Sequence, residues 1–210
     1  MGNYWYGVIV QNSQVLANDF SPGEPNLKRL IRRLPKNLRF QIVKKPNQTM
    51  QNVLIALEEA FKGKDRKSYG FTIDMSLLSS YAKKVLNCTR QVPVGYVTTY
   101  GAIAKVVGGI GRSVGRIEAL NPFPLLIPCH RVVRSDLRIG GYGYGEKMKM
   151  EILQREDRGY EESKKLKIND EKLVLFPIKW IKINHNELIR VKRTAYKTRK
   201  VVSSGVNKIW

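Results

Sequence analysis

The spacing of apolar residues changes period along the chain, and each change marks an expected element. In NYWYGVIVQNSQVLANDFSPGEPN, Tyr, Val and Ile cluster around the polar QNSQ, which predicts two short strands and then a loop bounded by Pro and Gly. Leu27, Leu30, Ile31 and Leu34 recur at steps of three and four, one face of a helix that Pro35 stops. RFQIVKK reads as another strand. Met50, Val53, Leu54, Leu57 and Phe61 then fall on one helical stripe, closed by Gly63. Residues 1–74 are expected to form a small α/β domain.

A second unit begins with DMSLLSSYAKKVLNCTRQVPVG, a helix with Leu77, Leu78, Tyr81, Val85 and Leu86 inward, stopped by Pro93 and Gly95. TTYGAIAKVVGGIGRSVGRIEALNP holds two short helical stretches parted by GGIG, the spacing of a helix-turn-helix that many helical hairpins also show. In RIGGYGYG the glycines permit positive φ and close approach to a flat ligand, and the tyrosines offer a stacking face; a loop whose rings merely pack on the domain fits as well. EKMKMEILQRED is a helix with Met148, Ile152 and Leu153 buried. Beyond residue 160, EESKKLKINDEK reads as a charged link, LVLFPIKWIKI as one or two strand-like pieces and RVKRTAYKTRKVV as a basic run.

Charge narrows the partners. The 210 residues carry 38 Lys and Arg against 17 Asp and Glu, a formal +21, which favours nucleic acid over an anionic membrane surface. No segment approaches the roughly 18 apolar residues of a spanning helix. The start lacks a basic region before its apolar run and a small-residue cleavage site, so a reducing, intracellular setting is expected: the cytoplasm, or wherever the DNA is. Only Cys88, Cys129, His130 and His185 could serve as soft ligands, at spacings that match no metal site, and none is expected.

LLIPCHRVVRSD places a thiol beside an imidazole. A cysteine is a useful nucleophile only as thiolate, and His130, Arg131 and Arg134 could lower its pKa. Adjacent side chains point apart in extended chain, so His130 would act through a water or from a turn. Cys129 could equally be a small buried hydrophobe.

IPCHRVV resembles the active-site stretch of the O6-alkylguanine-DNA alkyltransferases, the methylated-DNA–protein-cysteine methyltransferases. VPVGYVTTYGAIA, GRSVG, NPFPLLIPCHRVV, GGYGYG and LQRED resemble that family's pieces in the same order across residues 75–159. The resemblance implies an α/β N-terminal domain followed by a mainly α, helix-turn-helix (winged-helix-like) C-terminal domain. It implies irreversible transfer of an alkyl group from O6-alkylguanine in duplex DNA to Cys129, with base flipping, no cofactor and a monomeric protein. His130 would be the base, Glu156 its orienter, Asn121 the tether of the loop and Tyr100 a proton donor to the leaving purine. Tyr142, Gly143, Tyr144 and Gly145 would line the pocket, Ser135 would add a hydrogen bond, and the carbonyls of Cys129 and Val132 would accept from the exocyclic amine. Arg112 would fill the place of the flipped base, with Gly111, Ser113, Gly115 and Arg116 on the recognition helix.

The chain departs from the family pattern at Leu137, where a loop glycine is common, and at Tyr96, where glutamate is frequent. Tyr144 adds bulk to the pocket loop, and Arg116 and Glu118 make the recognition helix more polar. Residues 160–210 have no counterpart, and added DNA affinity, a partner interface or a disordered extension would each account for them. Two other functions remain open: a non-enzymatic binder of alkylated DNA, a class that lacks the cysteine, and an unrelated Cys-His hydrolase, for which no oxyanion-hole signature is present.

Overall fold

The computed structural model describes residues 4–182, apart from 24–25, 33–38, 40, 44 and 65–69. Strands β1 (Tyr4–Gln11) and β2 (Gln14–Pro22) form the expected hairpin, turning at Asn12 and Ser13, both with positive φ. The short β3 (Thr72–Ile73) adds to β2 in parallel. Helix α1 (Leu27–Ile31) is brief, and α2 (Gln48–Phe61) buries Val53, Ala56, Leu57 and Phe61. Leu34 and Pro35 lie outside the described residues. The strand expected at RFQIVKK is absent among the described residues there: Ile42 and Val43 are exposed, and no neighbouring strand offers them the backbone partners a ladder needs.

Helix α3 (Ser80–Arg90) starts later than its apolar pattern suggests, because the Ser79 hydroxyl accepts from the Ala82 amide. Leu77 therefore precedes the helix and is exposed instead of inward. Strand β4 (Tyr96–Thr99) leads into α4 (Tyr100–Val107), capped by Thr99, and after Gly108 and Gly109, both at positive φ, α5 (Gly111–Ala119) completes a helix-turn-helix. A 3₁₀ turn (Cys129–Arg131), strand β5 (Val132–Val133) and helix α6 (Glu146–Glu156) follow. On α6, Ile152 and Leu153 are buried as expected, whereas Met148 is only partly covered.

The stretch read as a charged link is largely a strand. In β6 (Lys164–Ile168), Leu166 and Ile168 face the apolar interior between lysines, and β6 pairs with β7 (Glu171–Pro177). β7 in turn joins β4, giving a four-stranded sheet in the order β5-β4-β7-β6. This part of the chain thus holds more strand than a mainly helical reading allows. Tyr96, the departure from a frequent glutamate, is buried and stacked on Tyr160 at 4.9 Å. RVKRTAYKTRKVV and His185 lie outside the described residues.

The largest buried cluster draws on both sides of residue 74: Phe20, Val53, Leu57 and Phe61 meet Leu86, Phe123, Ile127 and Ile152. A second cluster lies between α3, α4, α5 and the sheet, a third between the sheet's other face and α6. The chain from Asn121 to Val133 is buried throughout, so the Cys-His segment sits where these clusters meet.

Candidate active site

Asn121, just past α5, spans the loop that leads to the thiol. Its Nδ2 donates to the Ile127 carbonyl at 2.9 Å and its Oδ1 accepts from the Phe123 amide at 2.9 Å. The loop also holds Leu125 at φ 70°, a left-handed conformation that costs an L-residue about 1–2 kcal/mol and that burial of its side chain helps maintain. Cys129, His130 and Arg131 then make a 3₁₀ turn, not extended chain, and successive side chains fan out by about a third of a turn.

His130 and Glu156 are fully buried. His130 Nε2 lies 3.0 Å from Glu156 Oε1, and Arg131 grips the same carboxylate, Nε to Oε2 and Nη2 to Oε1 at 2.7 Å each, while its Nη1 donates to the Val92 carbonyl at 2.6 Å. Burial alone would raise the Glu156 pKa; His130 and Arg131 outweigh it and hold the group down at about 2. Burial lowers the His130 pKa against the pull of Glu156, leaving a neutral ring at pH 7. Against an ionised carboxylate, Nε2 carries the proton and Nδ1 is the basic nitrogen. Nδ1 has no hydrogen-bond partner among the described residues.

Lys149 is a functional candidate that the sequence pattern does not single out. Fully buried on α6, its ammonium donates to the carbonyls of Val132 and Ile139 at 2.7 Å each and of Gly141 at 3.3 Å. Burial lowers its pKa to about 8, opposed by Cys129 first and by Glu118 and Glu146 after it. The only hint in the sequence is a lysine inside an apolar helix face. The Val132 carbonyl expected to accept from a purine amine already accepts from Lys149, and that of Cys129 accepts from the Val132 amide.

Tyr100 opens α4 and lines a cavity of about 350 Å³ with Ile139, Gly140, Gly141 and the cationic Arg134, Arg138 and Lys182. Burial, then Glu118 and Cys129, raise the Tyr100 pKa to about 12, so its hydroxyl keeps its proton. A Cβ on Gly111 or Gly115 would meet Tyr100 at ordinary contact distance, 3.5 and 3.8 Å, so α5 packs closely on that residue without glycine being required. Arg112 and Arg116 occupy the exposed face of α5, Val114 and Glu118 the buried one, and Ser113 is intermediate. Glu118 accepts from the Thr89 hydroxyl, its second oxygen has no partner among the described residues, and burial raises its pKa to about 8 against Thr89 and Lys149.

The expected pocket loop is partly redirected. Tyr142 meets the His130 ring edge-on at 6.4 Å, and exposed Gly143 leads to Gly145, at φ 87°, which starts α6. Tyr144 does not line the cavity: it stacks on Phe20 at 4.1 Å, its hydroxyl donates to Asp19, and the Arg29 guanidinium sits 4.2 Å above its ring. Ser135 is exposed and lies beside Gly101, outside the cavity lining. Leu137 keeps a glycine-like turn at φ 61°, closed by its amide to the Arg134 carbonyl at 3.0 Å.

A helix-turn-helix packed against a buried thiol, imidazole and carboxylate describes a DNA-binding protein with a cysteine acceptor, and residues 80–158 match the family model for the 6-O-methylguanine DNA methyltransferase, DNA binding domain. The methylated-DNA–protein-cysteine methyltransferase of Methanocaldococcus vulcanius is 34% identical over 158 residues, 74% of this chain and 93% of that relative. The corresponding protein of Methanocaldococcus jannaschii is 34% identical over 155 residues, 73% and 88% of the two chains. Among solved structures, the O6-methylguanine-DNA methyltransferase of Pyrococcus kodakaraensis superposes with a TM-score of 0.56 at 27% identity, over 73% of this chain and 91% of that one. The O6-methylguanine DNA methyltransferase of Methanococcus jannaschii does so with a TM-score of 0.56 at 27% identity, over 80% and 97%. The chain belongs to the methylated-DNA–protein-cysteine methyltransferase family.

Proposed function

We propose that this protein repairs DNA by taking an alkyl group from O6 of guanine in a duplex onto Cys129, once per molecule. The observation that carries the reading is the clamp on His130: with Nε2 committed to Glu156 and the carboxylate fixed by Arg131, Nδ1 is the ring's remaining base. His130 takes the Cys129 proton, directly or through one water, and the thiolate attacks the alkyl carbon. A carbon–sulfur bond forms as the carbon–O6 bond breaks, and the electron pair goes to the purine. Tyr100 supplies the proton that neutralises the leaving base, and His130 can return one to the tyrosinate. No electron acceptor or second substrate is required, and the thioether ends the cycle.

Duplex DNA presents this atom inside the stack, so the base must be turned out, with Arg112 on the exposed face of α5 filling the gap. In this reading residues 1–74 are an α/β domain and residues 75–159 the DNA-binding and acceptor domain, and the β6–β7 hairpin belongs with the latter because it completes its sheet. No helix among the described residues is long and apolar enough to cross a membrane.

Intact mass after incubation with O6-methylguanine duplex tests the proposal. A stoichiometric gain of about 14 Da on Cys129, abolished in Cys129→Ser, is expected for a covalent acceptor. Unchanged mass with retained binding would point to a non-enzymatic binder, and repeated turnover to a hydrolase.

A further inference from the structure

Strands β4 and β5 run parallel, Thr98 beside Val132 and Thr99 beside Val133, so they end at the same edge of the sheet. Tyr100 follows one end and Arg134 the other, which puts the cavity at that edge. β7 runs antiparallel to β4, with Tyr96 opposite Pro177 and Val97 opposite Phe176, so the start of β7 extends about three residues past the end of β4 at Thr99. Lys167 opposite Lys172 and Ile168 opposite Glu171 then bring the end of β6 to the same place. The hairpin tip therefore projects past the edge of the sheet at which the cavity lies, displaced across the sheet from β4 by one and two strand spacings, about 5 and 10 Å.

The two faces of this hairpin differ. Leu166, Ile168, Leu173 and Leu175 join the second apolar cluster. Lys165, Lys167 and Lys172 alternate onto the exposed face, and none pairs with a carboxylate among the described residues, although Asp170 lies in the turn and Glu171 opens β7. Like charges placed directly opposite on neighbouring strands are destabilising, and Lys167 and Lys172 are such a pair. The hairpin is also held rigidly. The Thr98 hydroxyl donates to the Val174 carbonyl at 2.8 Å, the Ile178 amide to Gly95 at 3.1 Å, and the Lys182 amide to Leu137 at 2.9 Å, inside the turn that carries Arg134 and Arg138.

We propose that the 164–177 hairpin is a second DNA-contact surface, in which Lys167 and Lys172 take backbone phosphates flanking the extruded nucleotide. It lies outside the matched family region, residues 80–158, and rests on the reading that the protein acts on duplex DNA. A phosphate on each ammonium group relieves their repulsion.

The test uses the full chain and a labelled duplex carrying O6-methylguanine, with affinity followed by anisotropy from about 50 to about 200 mM salt. In Lys167→Gln/Lys172→Gln the slope of log K against log salt should be shallower by about 1.8, or about 0.9 for each phosphate no longer neutralised. Thermal stability should be equal or higher, since the like-charge pair is gone. A slope equal to wild type overturns the proposal, as does an equal change in Lys62→Gln/Lys64→Gln, which removes the same charge from the far end of α2 together with its exposed pairs to Glu58 and Glu59. Intact mass of the wild-type protein with the same duplex separates the two readings. A gain on Cys129 with an unchanged slope removes only the hairpin surface; no gain removes the alkyl-transfer reading, whatever the slope.

Discussion

Glu118 gives the sharpest test of the site's electrostatics, because a carboxyl buried on α5 ties stability to pH. Its pKa is raised from the ordinary 4.5 to about 8, chiefly by burial. Between those values the folded state binds more protons than the unfolded state, so stability falls as pH rises. The loss is absent below about 4.5, amounts to about 1.4 kcal/mol per pH unit in between and levels off above about 8, for a total of roughly 5 kcal/mol. Glu118→Gln keeps an oxygen that can accept from Thr89 and has no proton to lose. Its advantage over wild type should therefore be under about 1 kcal/mol at pH 5 and reach roughly 4 kcal/mol at pH 8. Urea unfolding followed by circular dichroism at a series of pH values measures this, and the titrations of His130 and Glu156 largely cancel in the difference. If the two proteins lose stability in parallel from pH 5 to pH 8, Glu118 is not a buried carboxyl of the kind described.

Glu156→Gln strips the charge that Arg131 and His130 share; breaking one side of such a buried pair costs about 3–5 kcal/mol, seen as a lower urea midpoint, and methyl transfer in a single-turnover assay should slow. Because the Glu156 pKa is depressed from 4.5 to about 2, its contribution is complete above the upper value and lost as pH falls through the lower one, so acid unfolding of the variant should lack that limb. Leu137→Gly should be near neutral in melting temperature, since relief of a left-handed leucine, about 1–2 kcal/mol, offsets the loss of a half-buried side chain. Leu137→Ile conserves volume and should nevertheless be the more damaging change, because a β-branched residue resists positive φ; the reverse order would refute the strain argument.

The sequence by itself determined what depends on neighbours within a few residues. The stripe of α2, the polar turn between β1 and β2 and the Gly-Gly break before α5 were all legible because period and turn chemistry are local properties. The heptad IPCHRVV with Asn121 and Glu156 was legible as a resemblance, and the fold brings His130, Arg131 and Glu156 into one cluster from segments 25 and 26 residues apart. Tertiary structure alone decided what each segment met. Nothing local to KKLKI says that Leu166 and Ile168 have an apolar partner, so an alternating strand has the pattern of a charged link until β7 docks on β4. Nothing local to Ile42 and Val43 says that they stay exposed. Glu118, Lys149 and Tyr144 make the same point for the site. A carboxyl, an ammonium and a phenol are polar by composition, and only packing against Thr89, against three carbonyls and against Phe20 and Asp19 set their charge and direction. Burial and its electrostatic consequences depend on which surfaces meet, and those surfaces come from distant parts of the chain.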